Sequence, residues 1–148
     1  MKRNTSVWLS IVLLGCQGDT TGPQDELRVT AQVSPVIIRA GESVSVAITV
    51  TNHGSRTRRI AGYHCPSVFE VSNTEGSVVS PRMQLCLAVG IPPRPLQPGE
   101  PYTFRYTWGG NSLAGSTALA PGYYFLRGTV WSDDVLLKSP AVTIQINE

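Results

Sequence analysis

The sequence has 148 residues, 41% hydrophobic and only 15% charged, with 14 glycines and 11 prolines. That size fits one domain with a short leader, large enough to bury a core without staples, and the turn-rich, Val- and Thr-rich body predicts an all-β fold. The formal charge of +2 includes Lys2 and Arg3; without them ten basic residues face 10 acidic ones, a balance that speaks against a nucleic-acid partner, which needs a basic face.

Residues 1–15 follow the plan of an export signal. Lys2 and Arg3 precede a short apolar run, Val7–Leu14, and small residues follow. The run is too short for a permanent membrane helix, which needs about 20 residues. A buried N-terminal strand would leave Lys2 and Arg3 without a role. Leu13-Leu14-Gly15-Cys16 resembles the bacterial lipoprotein signal box, an apolar residue, a tolerant position, a small residue and then cysteine. The resemblance implies that the Cys16 thiol receives a diacylglyceryl group, that cleavage falls between Gly15 and Cys16, and that the new amine is acylated. Two or three acyl chains anchor a protein stably where one holds it only marginally. The expected location is outside the cytoplasm, lipid-anchored to the cell membrane. Gln17 stands where an Asp favours inner-membrane retention in enteric bacteria, and so leans toward an outer membrane where the cell has one. Residues 16–26 are then the lipidated N-terminus and a flexible tether, rich in Gly, Thr and Pro. Residues 27–148 form the folded body.

Leu27–Ser34 alternates, with Leu27, Val29, Ala31 and Val33 on one face. After a glycine turn at Arg39–Ser43, Ser43–Asn52 alternates too and gathers Val44, Val46, Ile48 and Val50, the pattern of a half-buried strand. Asn52-His53-Gly54-Ser55 ends it. Val68–Asn73, a turn at Asn73–Gly76 and Ser77–Ser80 read as a hairpin. Met83–Val89 is a further strand. A Pro-Gly turn at Gln97–Glu100 leads into Pro101–Trp108, where Tyr102, Phe104, Tyr106 and Trp108 share a face. That face is expected in the core; the alternative is an exposed sugar-stacking row. Another Pro-Gly turn opens Ala120–Trp131, Trp131–Asp134 reads as a hairpin turn, and Ser139–Glu148 alternates to the end. These about seven to nine short strands predict an immunoglobulin-like antiparallel β-sandwich. Leu119, Pro121-Gly122 and Tyr123/Tyr124 resemble that fold's tyrosine corner, with either tyrosine as the one that bonds back to backbone.

With Cys16 lipidated, Cys65 and Cys86 remain as an even pair in an exported protein, which reads as one disulfide. It would contribute about 3 kcal/mol by the chain-entropy model. His53, His64, Cys65, Met83 and Cys86 resemble a copper set in composition, but no His follows Cys86, and adjacent His64 and Cys65 face opposite ways in an extended strand. No metal or other cofactor is expected. No nucleophile elbow is present, so the chain is read as a non-enzyme. Arg56, Arg58 and Arg59 form the only basic cluster and read as a solvated loop or strand end, the alternative being a site for an anionic ligand.

Four phrases stand in order along the body: "ITVTNHGSRTRRI" (Ile48–Ile60), "FEVSNTEGSVV" (Phe69–Val79), "LQPGEPYTFRYTW" (Leu96–Trp108) and "LAPGYYFLRGTV" (Leu119–Val130). Through them Val44–Ile146 resembles the BsuPI-type intracellular proteinase inhibitor domain, a small immunoglobulin-like sandwich often attached to lipoprotein signals. The resemblance implies a surface-tethered binding module with a protease or another envelope protein as partner. Within it, Ile91–Gly99 is the candidate inhibitory segment. Pro92, Pro93 and Pro95 pre-set an extended backbone and lower the entropy lost on binding. Arg94 suits an acidic specificity pocket, and Pro95 after it resists cleavage. The competing expectation is a stiff strand connector in a non-inhibitory structural, adhesion or assembly domain that binds a protein or glycan at the envelope.

Overall fold

The computed structural model describes residues 26–61, 69–80, 92–112 and 117–148. Its strands, in chain order, are β1 (Leu27–Ser34), β2 (Ile37–Arg39), β3 (Val44–Asn52), β4 (Arg58–Ile60), β5 (Phe69–Ser72) and β6 (Val78–Ser80). They continue with β7 (Arg94–Leu96), β8 (Pro101–Trp108), β9 (Gly122–Ser132), β10 (Val135–Lys138) and β11 (Val142–Asn147). No helix occurs among the described residues. The export signal, Cys16, Cys65, Cys86, His64 and the Met83–Val89 strand lie outside the described residues.

Three strands form one sheet in the order β1-β3-β8, and a second runs β2-β11-β9-β5-β6, with β10 also paired to β9. The pairings are antiparallel except β2 with β11, which is parallel. The two sheets pack face to face because each strand turns one apolar row inward. Val44, Val46, Ile48 and Val50 of β3 are at most 1% exposed, and they share one buried cluster with Leu126 of β9 and Ile144 of β11, both at 0%. Burying each such side chain stabilises by roughly 1.5–3 kcal/mol. The aromatic row of β8 belongs to this core: Phe104 and Trp108 are buried, and half-buried Tyr102 and Tyr106 pack against it. Trp108 Nε1 donates to Ser80 Oγ at 3.1 Å, and Tyr106 meets Phe69 edge-on across the sheets, with ring centroids 5.9 Å apart.

Tyr124, not Tyr123, makes the corner. Its hydroxyl donates to the Ala120 carbonyl at 2.8 Å, whereas Tyr123 points outward and is 55% exposed. The Asn73–Gly76 turn joins β5 to β6, with Asn73 Oδ1 accepting from the Glu75 and Ser77 amides.

The all-β sandwich is the expected fold, with eleven strands among the described residues where about seven to nine were expected. The additions include β2, β4 and β7, each of 3 residues. The segment read as the Ile91–Gly99 loop therefore contains a strand. Arg59 stands opposite Pro95 in the β4/β7 ribbon. Proline lacks the donor for a ladder, but a two-stranded ribbon leaves one side of each strand free of that demand.

Candidate functional site

The segment Pro92–Pro95 is exposed, and it is held from below. Asn52, at the end of β3, is 0% exposed. Its side-chain amide donates to the Leu96 carbonyl at 2.9 Å and to the Arg56 carbonyl at 2.8 Å. Its Oδ1 accepts from the Gly54 amide at 2.9 Å. Every polar atom of this buried side chain is thus used, which is what burial of an amide requires. Leu96, also 0% exposed, plugs β7 into the core. One residue later the chain turns: Gly99 takes a φ of 78°, a conformation that suits glycine, and its amide donates to the Asn52 carbonyl at 2.7 Å.

Glu100 closes this turn. One carboxylate oxygen accepts from the Gln97 amide at 2.9 Å, and the other meets Arg94 Nη2 at 3.3 Å. The Gln97 N–H holds the Glu100 carboxyl below the usual range, with Arg94 adding to the effect. The Arg94 guanidinium also lies over the Tyr102 ring, 4.3 Å from its centroid, a cation–π contact. The Arg94 side chain keeps 47% of its surface in water. An ion pair that exposed is worth little, so the guanidinium can leave Glu100 for another carboxylate at small cost.

β7 pairs only with β4 among the described residues. Pro95, which faces away from β4, has no N–H, so this segment offers a partner side chains and carbonyls rather than the donors of a full strand edge. Arg94 and Pro95 lie in this ribbon, and Pro92 and Pro93 lead into it. Sequence reasoning found the stiff prolines and missed the Asn52 and Glu100 clamps.

The basic cluster is divided. Arg58 meets Asp133 at 3.4 Å and Glu26 at 3.9 Å, while Arg56 and Arg59 are exposed. A cavity of about 780 Å³ opens elsewhere, bounded by Ala31–Ser34 of β1, Ser45–Ala47 of β3, Arg105–Thr107 of β8 and Val142 of β11. Burial raises the Tyr106 hydroxyl above the ordinary phenol range, with Tyr102 adding to the shift.

The architecture defines an immunoglobulin-like β-sandwich. No protein-family model matches the chain, and no curated protein does. Among solved structures it is similar to the alkylpurine DNA glycosylase AlkC of Pseudomonas fluorescens, with a TM-score of 0.52 and 12% identity. That match covers 83% of this chain and 31% of the glycosylase, so the chain spans less than a third of that protein. It is also similar to the C-terminal domain of wzt, with a TM-score of 0.52 and 8% identity over 83% of this chain and 74% of that domain. A CARDB domain from Pyrococcus furiosus matches with a TM-score of 0.46 and 13% identity, over 82% of this chain and 87% of the other. Identities this low speak to the fold alone.

Proposed function

We propose that the chain is an extracytoplasmic lipoprotein, anchored to the membrane through lipid on Cys16, whose BsuPI-like sandwich is a protein-binding module that inhibits a proteinase. It is not an enzyme and uses no cofactor, and Cys65 and Cys86 form its disulfide. The observation that carries the inhibitory reading is the exposed Pro92–Pro95 segment, seated on Leu96 and Asn52 and presenting the Arg94 side chain to solvent. A rigid extended segment binds with little ordering cost. The alternative, a non-inhibitory structural, adhesion or assembly module for a protein or glycan, is favoured by one contact: Glu100 already takes the Arg94 guanidinium.

The full-length protein tested against serine and metalloproteases decides between them. Stoichiometric inhibition that Arg94→Ala weakens at least tenfold supports the first reading. No inhibition across the panel, or inhibition that Arg94→Ala leaves unchanged, removes Arg94 from the function. Radiolabelled fatty acid incorporated by the native chain and lost in Cys16→Ser tests the anchor.

A further inference from the structure

We propose that the outer face of the β1-β3-β8 sheet binds an acidic polysaccharide. The strand register sets side chains in rows across this face. Thr30, Thr49 and Thr103 form one row, and Gln32, Ala47 and Arg105 form the next. Ser34, Ser45 and Thr107 follow beyond them, and Arg28, Thr51 and Pro101 lie on the other side of the threonines. These residues alternate with the core-facing ones and so project outward; none of them is buried.

The face is hydroxyl-rich and carries charge of one sign. No row contains an acidic side chain. Arg28 and Arg105 have no ion-pair partner among the described residues, a state they share with Arg39, Arg56, Arg59 and Arg127, but these two stand together on one sheet face whose rows hold no carboxylate. Such a surface is complementary to an anion. The two arginines lie on β1 and β8, the outer strands of the sheet, with Arg105 level with Gln32. Their separation is a diagonal of about 17 Å, at ~3.4 Å per residue along a strand and ~4.8 Å between strands. One small anion does not span that distance. A chain of acidic sugars does, and gains from binding at two points.

Between the arginines lies the threonine row. The Thr49 and Thr103 hydroxyls are hydrogen-bonded to each other at 2.8 Å, which fixes their positions. A hydroxyl offers one donor and two acceptor sites, so this pair retains capacity for sugar hydroxyls. The small Ala47 side chain stands between the longer Gln32 and Arg105 in its row. A single-stranded nucleic acid would match the charge, but it stacks its bases on aromatic side chains, and these rows contain none.

The test titrates the full-length protein with polygalacturonate, galacturonic acid, dextran and poly(dT), at low and at physiological salt. Polygalacturonate is expected to bind at least tenfold more tightly than the others, and more weakly as salt rises. Arg28→Ala and Arg105→Ala should each weaken it about tenfold, the scale of one charge-assisted hydrogen bond, and the double variant should abolish it. Both Arg→Lys variants should retain most of the affinity. Arg→Gln variants, which keep the packing of the stem, replace any alanine variant that melts early. No polygalacturonate binding, equal binding of dextran or the monomer, a preference for poly(dT), or an unchanged double variant each overturns the proposal.

Discussion

Single polar atoms do specific work in this fold. The Tyr124 hydroxyl ties the start of β9 to the Ala120 carbonyl four residues upstream. Removing it leaves the Ala120 carbonyl without this donor while the ring stays packed. Tyr124→Phe should therefore cost about 1 kcal/mol and lower the melting temperature by about 4 °C, read by thermal denaturation; Tyr123→Phe, on an exposed side chain, should leave it unchanged. Glu100 acts through charge. Its carboxyl is held below its ordinary value of 4.5, first by the Gln97 N–H and then by Arg94. A lowered folded value means the folded state binds this proton less readily than the unfolded chain. The stabilisation is therefore present above the ordinary carboxylate range and lost as pH falls through the lowered value. A carboxyl-detected NMR titration should place the Glu100 midpoint below 4.5. The Gln97 amide should shift with the same midpoint, and Glu100→Gln should remove that response.

At the scale of elements, the β9–β10 turn holds the clearest local tension. Asp133 and Asp134 both have positive φ, 45° and 65°. Two such residues between antiparallel strands are the signature of a type I′ turn, which favours glycine at its second position. A non-glycine residue in this region carries a cost of roughly 1–2 kcal/mol. Asp134→Gly should recover about 1 kcal/mol and raise the melting temperature. Asp133→Gly should gain less, because it forfeits the 3.4 Å ion pair with Arg58. This turn was visible in the sequence, and so were β1, β3, β8, β9 and β11, because alternation over six or more residues fixes both type and buried face. Among the short strands, the β5–β6 hairpin was visible through its Asn73–Gly76 turn, whereas β2, β4 and β7 were not. Three residues carry no period, and β2 exists only because β11 lies beside it. Pro95 argued against a strand where β7 forms, since no local signal announces an edge with a spare side. The candidate segment was legible as stiff through its prolines. Its support was hidden, because Asn52 reaches Leu96 across 44 positions of sequence.

The molecule as a whole depends on how closely its two sheets approach, and Gly128 and Ile48 set that distance at one point. A Cβ built on Gly128 of β9 would stand 2.8 Å from both Cδ1 and Cγ2 of Ile48 on β3. Neither side has room to yield. Ile48 is 0% exposed, and Gly128 is pinned by Ser139, whose Oγ accepts from its amide at 2.9 Å and whose amide donates to its carbonyl at 2.9 Å. Gly128 also stands opposite Phe69 in the β5/β9 ladder, so backing β9 away would strain a second strand. Gly128→Ala should therefore cost about 1–3 kcal/mol by overpacking, measured by denaturant unfolding. Ile48→Ala alone should cost about 2–5 kcal/mol. If contact between the sheets is the cause, removing both Cδ1 and Cγ2 of Ile48 makes room for the new methyl. The double variant should then be more stable than the two single costs summed, by a coupling of at least about 0.5 kcal/mol. Strictly additive costs would mean that Gly128 is required by the backbone of β9 itself rather than by the close approach of the sheets.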